Sequence, residues 1–61
     1  MIKQLHLYDT IHETKESVAV NFDTVQYFKP NNISSEFTDI YFSKDDHITV
    51  WESYDSLLKS F

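Results

Sequence analysis

Cysteine and glycine are both absent from this 61-residue chain, and proline occurs once. Without cysteine there are no disulfides, no thiolate zinc sites and no cysteine nucleophile. Without glycine there is no P-loop, no Gly-rich phosphate cradle and no cheap residue for turns that need positive φ. Such turns fall to Asn or Asp, which enter that region at modest cost, and the candidates are Asp9, Asn31, Asn32, Asp45 and Asp46. Basic residues are also scarce: five lysines face ten acidic side chains, for a net charge of −5. That balance disfavours direct binding to a phosphate backbone, which requires a basic stripe. No run approaches the roughly 20 apolar residues of a membrane span. The opening MIKQLHLYDT also lacks an apolar core of secretory length. A cytoplasmic protein is expected, in a bacterium or in the host cytoplasm if the chain is phage-encoded.

Length sets the next limit. One domain spanning 1–61 is expected, and a chain this short buries only about 60% of its unfolded surface. Below roughly 70–80 residues a core seldom supplies more than about 3–5 kcal/mol. One tryptophan, four tyrosines and five phenylalanines partly compensate. Self-association is the most economical supplement left, so a homo-oligomer is expected, and open sheet edges are one place for it.

Hydrophobic periodicity predicts an α+β fold, mainly β: a small antiparallel sheet of four to five strands with one C-terminal helix. The strands are placed at roughly 1–7, 17–22, 25–29 and 37–52, the last span being a hairpin, and the helix at about 53–61. Tyr8–Glu16 reads as a polar turn with a short strand around Ile11. Asn21, Asp23 and Thr24 form a brief turn, and Pro30-Asn31-Asn32 ends the third strand. Ser53 is a competent cap for a helix whose Tyr54, Leu57, Leu58 and Phe61 recur at helical spacing. The expected core is Val18, Val20, Phe22, Ile40, Phe42, Ile48, Val50, Leu57 and Leu58. No helix longer than two turns is expected within 17–52.

Parity constrains the terminal hairpin. Phe42 and Ile48 share a core face only if the loop holds an odd number of residues. A three-residue Lys44-Asp45-Asp46 loop meets that condition and sets Ser43 opposite His47, Tyr41 opposite Thr49 and Asp39 opposite Trp51. A two-residue Lys44-Asp45 turn works only with a bulge elsewhere.

The opening Met1-Ile2-Lys3 with Leu5 and Leu7, then Val20-Asn21, Val25 and Phe28, form an ordered pattern across nearly the whole chain. Pro30, Thr38, Ile40 and Phe42, a turn, and finally Val50, Glu52 and Leu57 continue it. This pattern resembles the small flagellar and swarming-motility proteins called FlbD or SwrD. The resemblance implies the same small fold and a role in motility. Where that family has Asn-Gly turns, this chain has Tyr8-Asp9-Thr10 and Lys44-Asp45-Asp46, and its NNISSEF loop is longer.

No catalytic constellation emerges, and the chain is expected to be non-enzymatic, with no cofactor and no metal site. His12-Glu13 begins like H-E-x-x-H, but Glu16 stands where the second histidine belongs. His47 beside Asp45 and Asp46 reads as a polar turn, and His6 as a half-exposed strand residue. The better functional clue is the second face of the hairpin, where Asp39, Tyr41, His47, Thr49 and Trp51 alternate opposite to the core set. Trp and Tyr are common interface anchors, so these five are the candidate partner-binding residues. The leading expectation is an interaction or regulatory module that self-associates and docks on another protein, for which a basic surface would complement the acidity. The alternative is an acidic inhibitor of phage or mobile-element type. It would imitate nucleic acid to block a host nucleic-acid-binding protein, and it requires carboxylates lined along one face.

Overall fold

Alternation of branched or aromatic residues with polar ones produces strands wherever one face of a sheet can be buried. The computed structural model describes residues 1–9, 11 and 14–61. Its strands are β1 (Ile2–Tyr8), β2 (Lys15–Asn21), β3 (Tyr27–Pro30), β4 (Thr38–Ser43) and β5 (Asp46–Val50), followed by one helix, α1 (Tyr54–Lys59). They form a single antiparallel sheet in the order β2-β1-β5-β4-β3. The chain thus makes a β1–β2 hairpin, crosses to the far edge at β3, and returns through β4 and β5 to lie against β1. No helix among the described residues is long and apolar enough to cross a membrane.

Register assigns the faces. Leu5 pairs with Val18, Lys3 with Val20, Leu7 with Val50, Val50 with Thr38, and Ile48 with Ile40, which pairs in turn with Phe28. These positions share the inner face, the one α1 covers. Leu5, Val20, Ile40, Val50 and Leu57 are its buried centre, and Val18, Phe22, Val25, Phe28, Phe42 and Ile48 pack around them half-buried. The α1 N-terminus is capped as expected: Ser53 Oγ accepts a hydrogen bond from the Ser56 N–H (3.2 Å). Asp55 in the first turn and Lys59 in the last suit the helix dipole.

The structure departs from the sequence reading at several points, each with a local cause. Ile11 is a turn residue and not part of a strand. Asp9 Oδ1 accepts from the Ile11 N–H (2.9 Å), an Asx turn that leaves Ile11 exposed. β2 starts at Lys15 and stops at Asn21, so Phe22 is not a strand residue. Asn21 Oδ1 accepts from the Asp23 N–H (3.0 Å) and starts a single 3-10 turn, Phe22–Thr24. This turn swings Phe22 against Phe28 and Phe61. β3 consequently begins at Tyr27, and its Pro30 is tolerated because β3 is an edge strand.

Leu58 is the largest correction to the expected core. It is 49% exposed, and Leu5, absent from the expected set, is buried in the centre. A six-residue helix presents only a narrow stripe, here Tyr54 and Leu57, which Phe61 extends just beyond the helix end. Phe28 contacts both ends of that stripe, with ring centroids 5.7 Å from Tyr54 and 5.9 Å from Phe61.

The terminal hairpin uses the two-residue turn. Ser43 pairs with Asp46 around Lys44-Asp45, and the register slips between Tyr41 and Ser43. This bulge replaces the three-residue loop, and it keeps Phe42 and Ile48 with the core by inserting an extra residue into one strand. Tyr41 therefore pairs with His47, and Asp39 with Thr49.

A helix this short depends on its packing and not on intrinsic propensity. Leu57→Ala is expected to cost about 2–5 kcal/mol, and Leu58→Ala about 1 kcal/mol or less. Thermal denaturation of the two variants reads the contrast directly, at about 4–8 °C per kcal/mol in a domain of this size.

Candidate interaction surface

The outer face, opposite α1, is built from the alternate residues of the same strands. Tyr27, Tyr41 and His47 are successive cross-strand neighbours on β3, β4 and β5. Their rings stack in a row: Tyr27 to Tyr41 at 4.7 Å and 11°, Tyr41 to His47 at 4.8 Å and 20°. Cross-strand pairs of this type lie close enough for ring stacking, so the register itself aligns them. The Lys29 ammonium sits over the Tyr41 ring at 5.3 Å.

A second cluster lies beyond Thr49. Trp51 follows β5 and meets Tyr8 from β1 and Phe37 from the loop before β4. The ring centroids are 4.8 Å apart for Tyr8–Phe37, 4.9 Å for Tyr8–Trp51 and 4.9 Å for Phe37–Trp51. Lys15 places its ammonium 4.9 Å from the Trp51 ring. Trp51 Nε1 is buried with no hydrogen-bond partner among the described residues, a cost set against the packing of three rings. The indole thus points away from the inner core, as its parity requires. Its neighbours are Tyr8 and Phe37, not Asp39 and Tyr41, because the bulge shifts the hairpin register.

Phe37 reaches this face through a loop closed on itself. Asn31 Oδ1 accepts from the Ile33 N–H, Phe37 N–H donates to the Ser34 carbonyl, and Asn31 N–H donates to the Phe37 carbonyl. The loop's Ile33 is 91% exposed. With Tyr8, Asn31, Phe37 and Thr49 it lines an open cleft of about 260 Å³.

Asp39 plays a different part from the one its position on this face suggested. It is 6% exposed, and its Oδ1 accepts from Asn31 Nδ2 (2.9 Å) and Thr49 Oγ1 (2.7 Å). Asp39 is a buried brace that ties the loop and β5 to β4. His47 is exposed, and Tyr41, Thr49 and Trp51 are half-buried. The candidate residues therefore divide in two: Tyr41 and His47 in the ladder, Trp51 in the other cluster, with Thr49 between. Tyr8, Tyr27, Phe37, Lys15 and Lys29 were absent from the sequence-derived set. In the structure, alternation along β1 and β3 sends Tyr8, Tyr27 and Lys29 outward, and strand order sets their neighbours.

Other polar groups are committed within the chain. Glu52 accepts from the His6 backbone N–H through Oε1 (2.9 Å) and contacts His6 Nδ1 through Oε2 (2.7 Å). Asp23 pairs with the Met1 amino terminus (2.8 Å). Among the described residues no group of three or more His, Asp or Glu side chains could hold a metal ion. His12-Glu13 lies outside the described residues. No family model, curated protein or solved structure matches this chain.

Removing the brace should loosen the face from below. Asp39→Ala strands two donors and is expected to cost about 1–3 kcal/mol, whereas Asp39→Asn keeps an acceptor oxygen and should cost less. Urea unfolding of the pair measures the difference. Equal losses would mean that the carboxylate's charge, not its hydrogen bonding, holds the loop.

Proposed function

We propose that this protein is a small non-enzymatic interaction module that binds another protein through its outer aromatic face. The observation that carries this reading is the Tyr27–Tyr41–His47 stack. Tyr27, at its β3 end, is 47% exposed, and His47 at the other end is exposed. Rings held in a stack before binding lose little side-chain freedom on contact, which is what makes aromatic anchors effective. Ile33 and the cleft beside it extend the apolar strip toward Trp51.

Charge narrows the partner. The cations over the two aromatic clusters are Lys29 and Lys15, and Asp39 beneath them is buried. This face suits an apolar ridge flanked by acidic groups better than a basic surface. The nucleic-acid-mimic alternative draws less support, since Asp39 is buried and Asp23 and Glu52 are paired within the chain. The resemblance of the hydrophobic pattern to that of flagellar and swarming-motility proteins makes components of a motility apparatus the first partners to test.

Tyr41→Ala is the cleanest probe, because Trp51 also packs on its own chain and its loss should lower stability as well as binding. Affinity purification from the native host, read by mass spectrometry, should recover a partner with the wild-type bait. The folded Tyr41→Ala bait should lose it, by at least about 2 kcal/mol in affinity. Salt should weaken the complex only mildly, in contrast to a charge mimic. Recovery of the same partner at equal strength by Tyr41→Ala would overturn the reading.

A further inference from the structure

The two edges of the sheet are not equivalent. At β3, the pairs Tyr27–Tyr41 and Lys29–Asp39 and the Asn31 N–H bond to the Phe37 carbonyl turn the odd residues toward β4. Outward-facing backbone is then left only at Phe28 and Pro30, and proline has no N–H. That edge is blunted. At β2 the reverse holds. Phe22 N–H donates to the Met1 carbonyl (2.7 Å), and Lys3–Val20 and Leu5–Val18 follow two and four residues along the same ladder. By antiparallel alternation, Val18 and Val20 bond inward to β1, while Lys15, Ser17, Ala19 and Asn21 direct N–H and C=O outward. β2 is seven residues long, carries no proline or bulge, and is uncharged from Ser17 to Asn21. Apart from Lys15 and Glu16 at its start, it carries none of the usual protections of an exposed edge.

The geometry points to β2 of a second copy of this chain as the occupant, paired antiparallel about a two-fold axis at Val18. In that register Ser17 faces Ala19 of the second copy and Lys15 faces Asn21. Each of these pairs joins outward-facing backbone groups, as a hydrogen-bonded ladder requires. Val18 meets its own equivalent on the inner face, completing the cover of a half-buried residue beside Leu5. Glu16 faces Val20, so no like charges oppose, and all seven strand residues take part. A shift that brings Ser17 opposite Lys15 would set Glu16 against Glu16. A shift in the other direction runs the pairing into the 3-10 turn at Phe22. The strand is thus self-complementary in one full-length register, and the product is a continuous ten-stranded sheet. The interface uses an element separate from the outer aromatic ladder, and the two readings stand or fall separately.

Ala19→Pro removes an outward N–H and leaves the β1–β2 ladder intact, because Ala19 does not bond to β1. Sedimentation velocity over a concentration series should show a dimer for the wild type and for Tyr41→Ala. Ala19→Pro should remain monomeric with an unchanged far-UV circular dichroism spectrum. In the wild type, the Ser17 and Ala19 amide protons should exchange about tenfold or more slowly at dimer-forming than at monomeric concentrations. This second measurement carries the test should Ala19→Pro fail to fold. A strict monomer overturns the proposal. So does a dimer in which those two amides exchange freely, or one that Tyr41→Ala breaks and Ala19→Pro does not.

Discussion

The seam between β1 and β5 is the constraint on which the rest of this structure depends. It joins the β1–β2 hairpin to the β3–β4–β5 meander, yet its register contains a single residue pair, Leu7 with Val50. One further backbone bond, from the Trp51 N–H to the His6 carbonyl (2.8 Å), extends it. Beyond that point the chain leaves the sheet, and a side chain continues the work of the strand. The Glu52 carboxylate accepts from the His6 backbone N–H and also holds the imidazole. An unsatisfied, part-buried N–H would cost about 1–3 kcal/mol, so Glu52 completes the seam at a place where the backbone cannot. The Thr38 hydroxyl, bonded to the Glu52 carbonyl (2.8 Å), fixes that residue from the β4 side.

The Trp51 cluster and the capped helix lie downstream of that seam. Once Val50 is fixed against Leu7, alternation sends Trp51 to the outer face, turns Glu52 back to His6, and sets Ser53 to cap α1. The inner core is then closed by Leu57, and the outer face by the packing of Tyr8 and Phe37 on Trp51. A chain of 61 residues has little stability to spare. Here the same few positions both join the two halves of the sheet and arrange its aromatic surface. Asp39 repeats this economy on the other side of Thr49, where one buried oxygen orders the loop that delivers Phe37.

The fold class was legible because each strand carries a local period-two pattern, and the helix was legible because Ser53 is a chemically specific cap. Register was not. Two arrangements satisfied the parity of Phe42 and Ile48, and propensity alone does not distinguish an odd loop from an even turn with a bulge. That one ambiguity propagated: it put Asp39 across from Trp51 and made Trp51 a neighbour of Tyr41, when the actual partners come from β1 and from the loop before β4. Burial was misjudged for a related reason. Leu58 fits the helical period, but a six-residue helix covers too little sheet to use both leucines, while Leu5 lies on a strand whose central place follows only from the β1–β5 pairing. Tyr8 and Phe37 were invisible as a pair, since they are far apart in sequence and meet only through strand order.

The net charge of −5 reads differently once the side chains are placed. Three lysines lie over aromatic rings: Lys3 over Phe61, Lys15 over Trp51 and Lys29 over Tyr41. Each positions its cation where a ring quadrupole attracts it and its methylene stem where it covers apolar surface. Two of the three are on the outer face, so the acidity of the chain is not the character of that face. Overall charge sets solubility and long-range steering, whereas the chemistry of a contact is set by the groups within a few ångströms. In this protein the two have opposite sign, so a partner steered by the whole molecule and a partner fitted to the aromatic ladder would carry different charge.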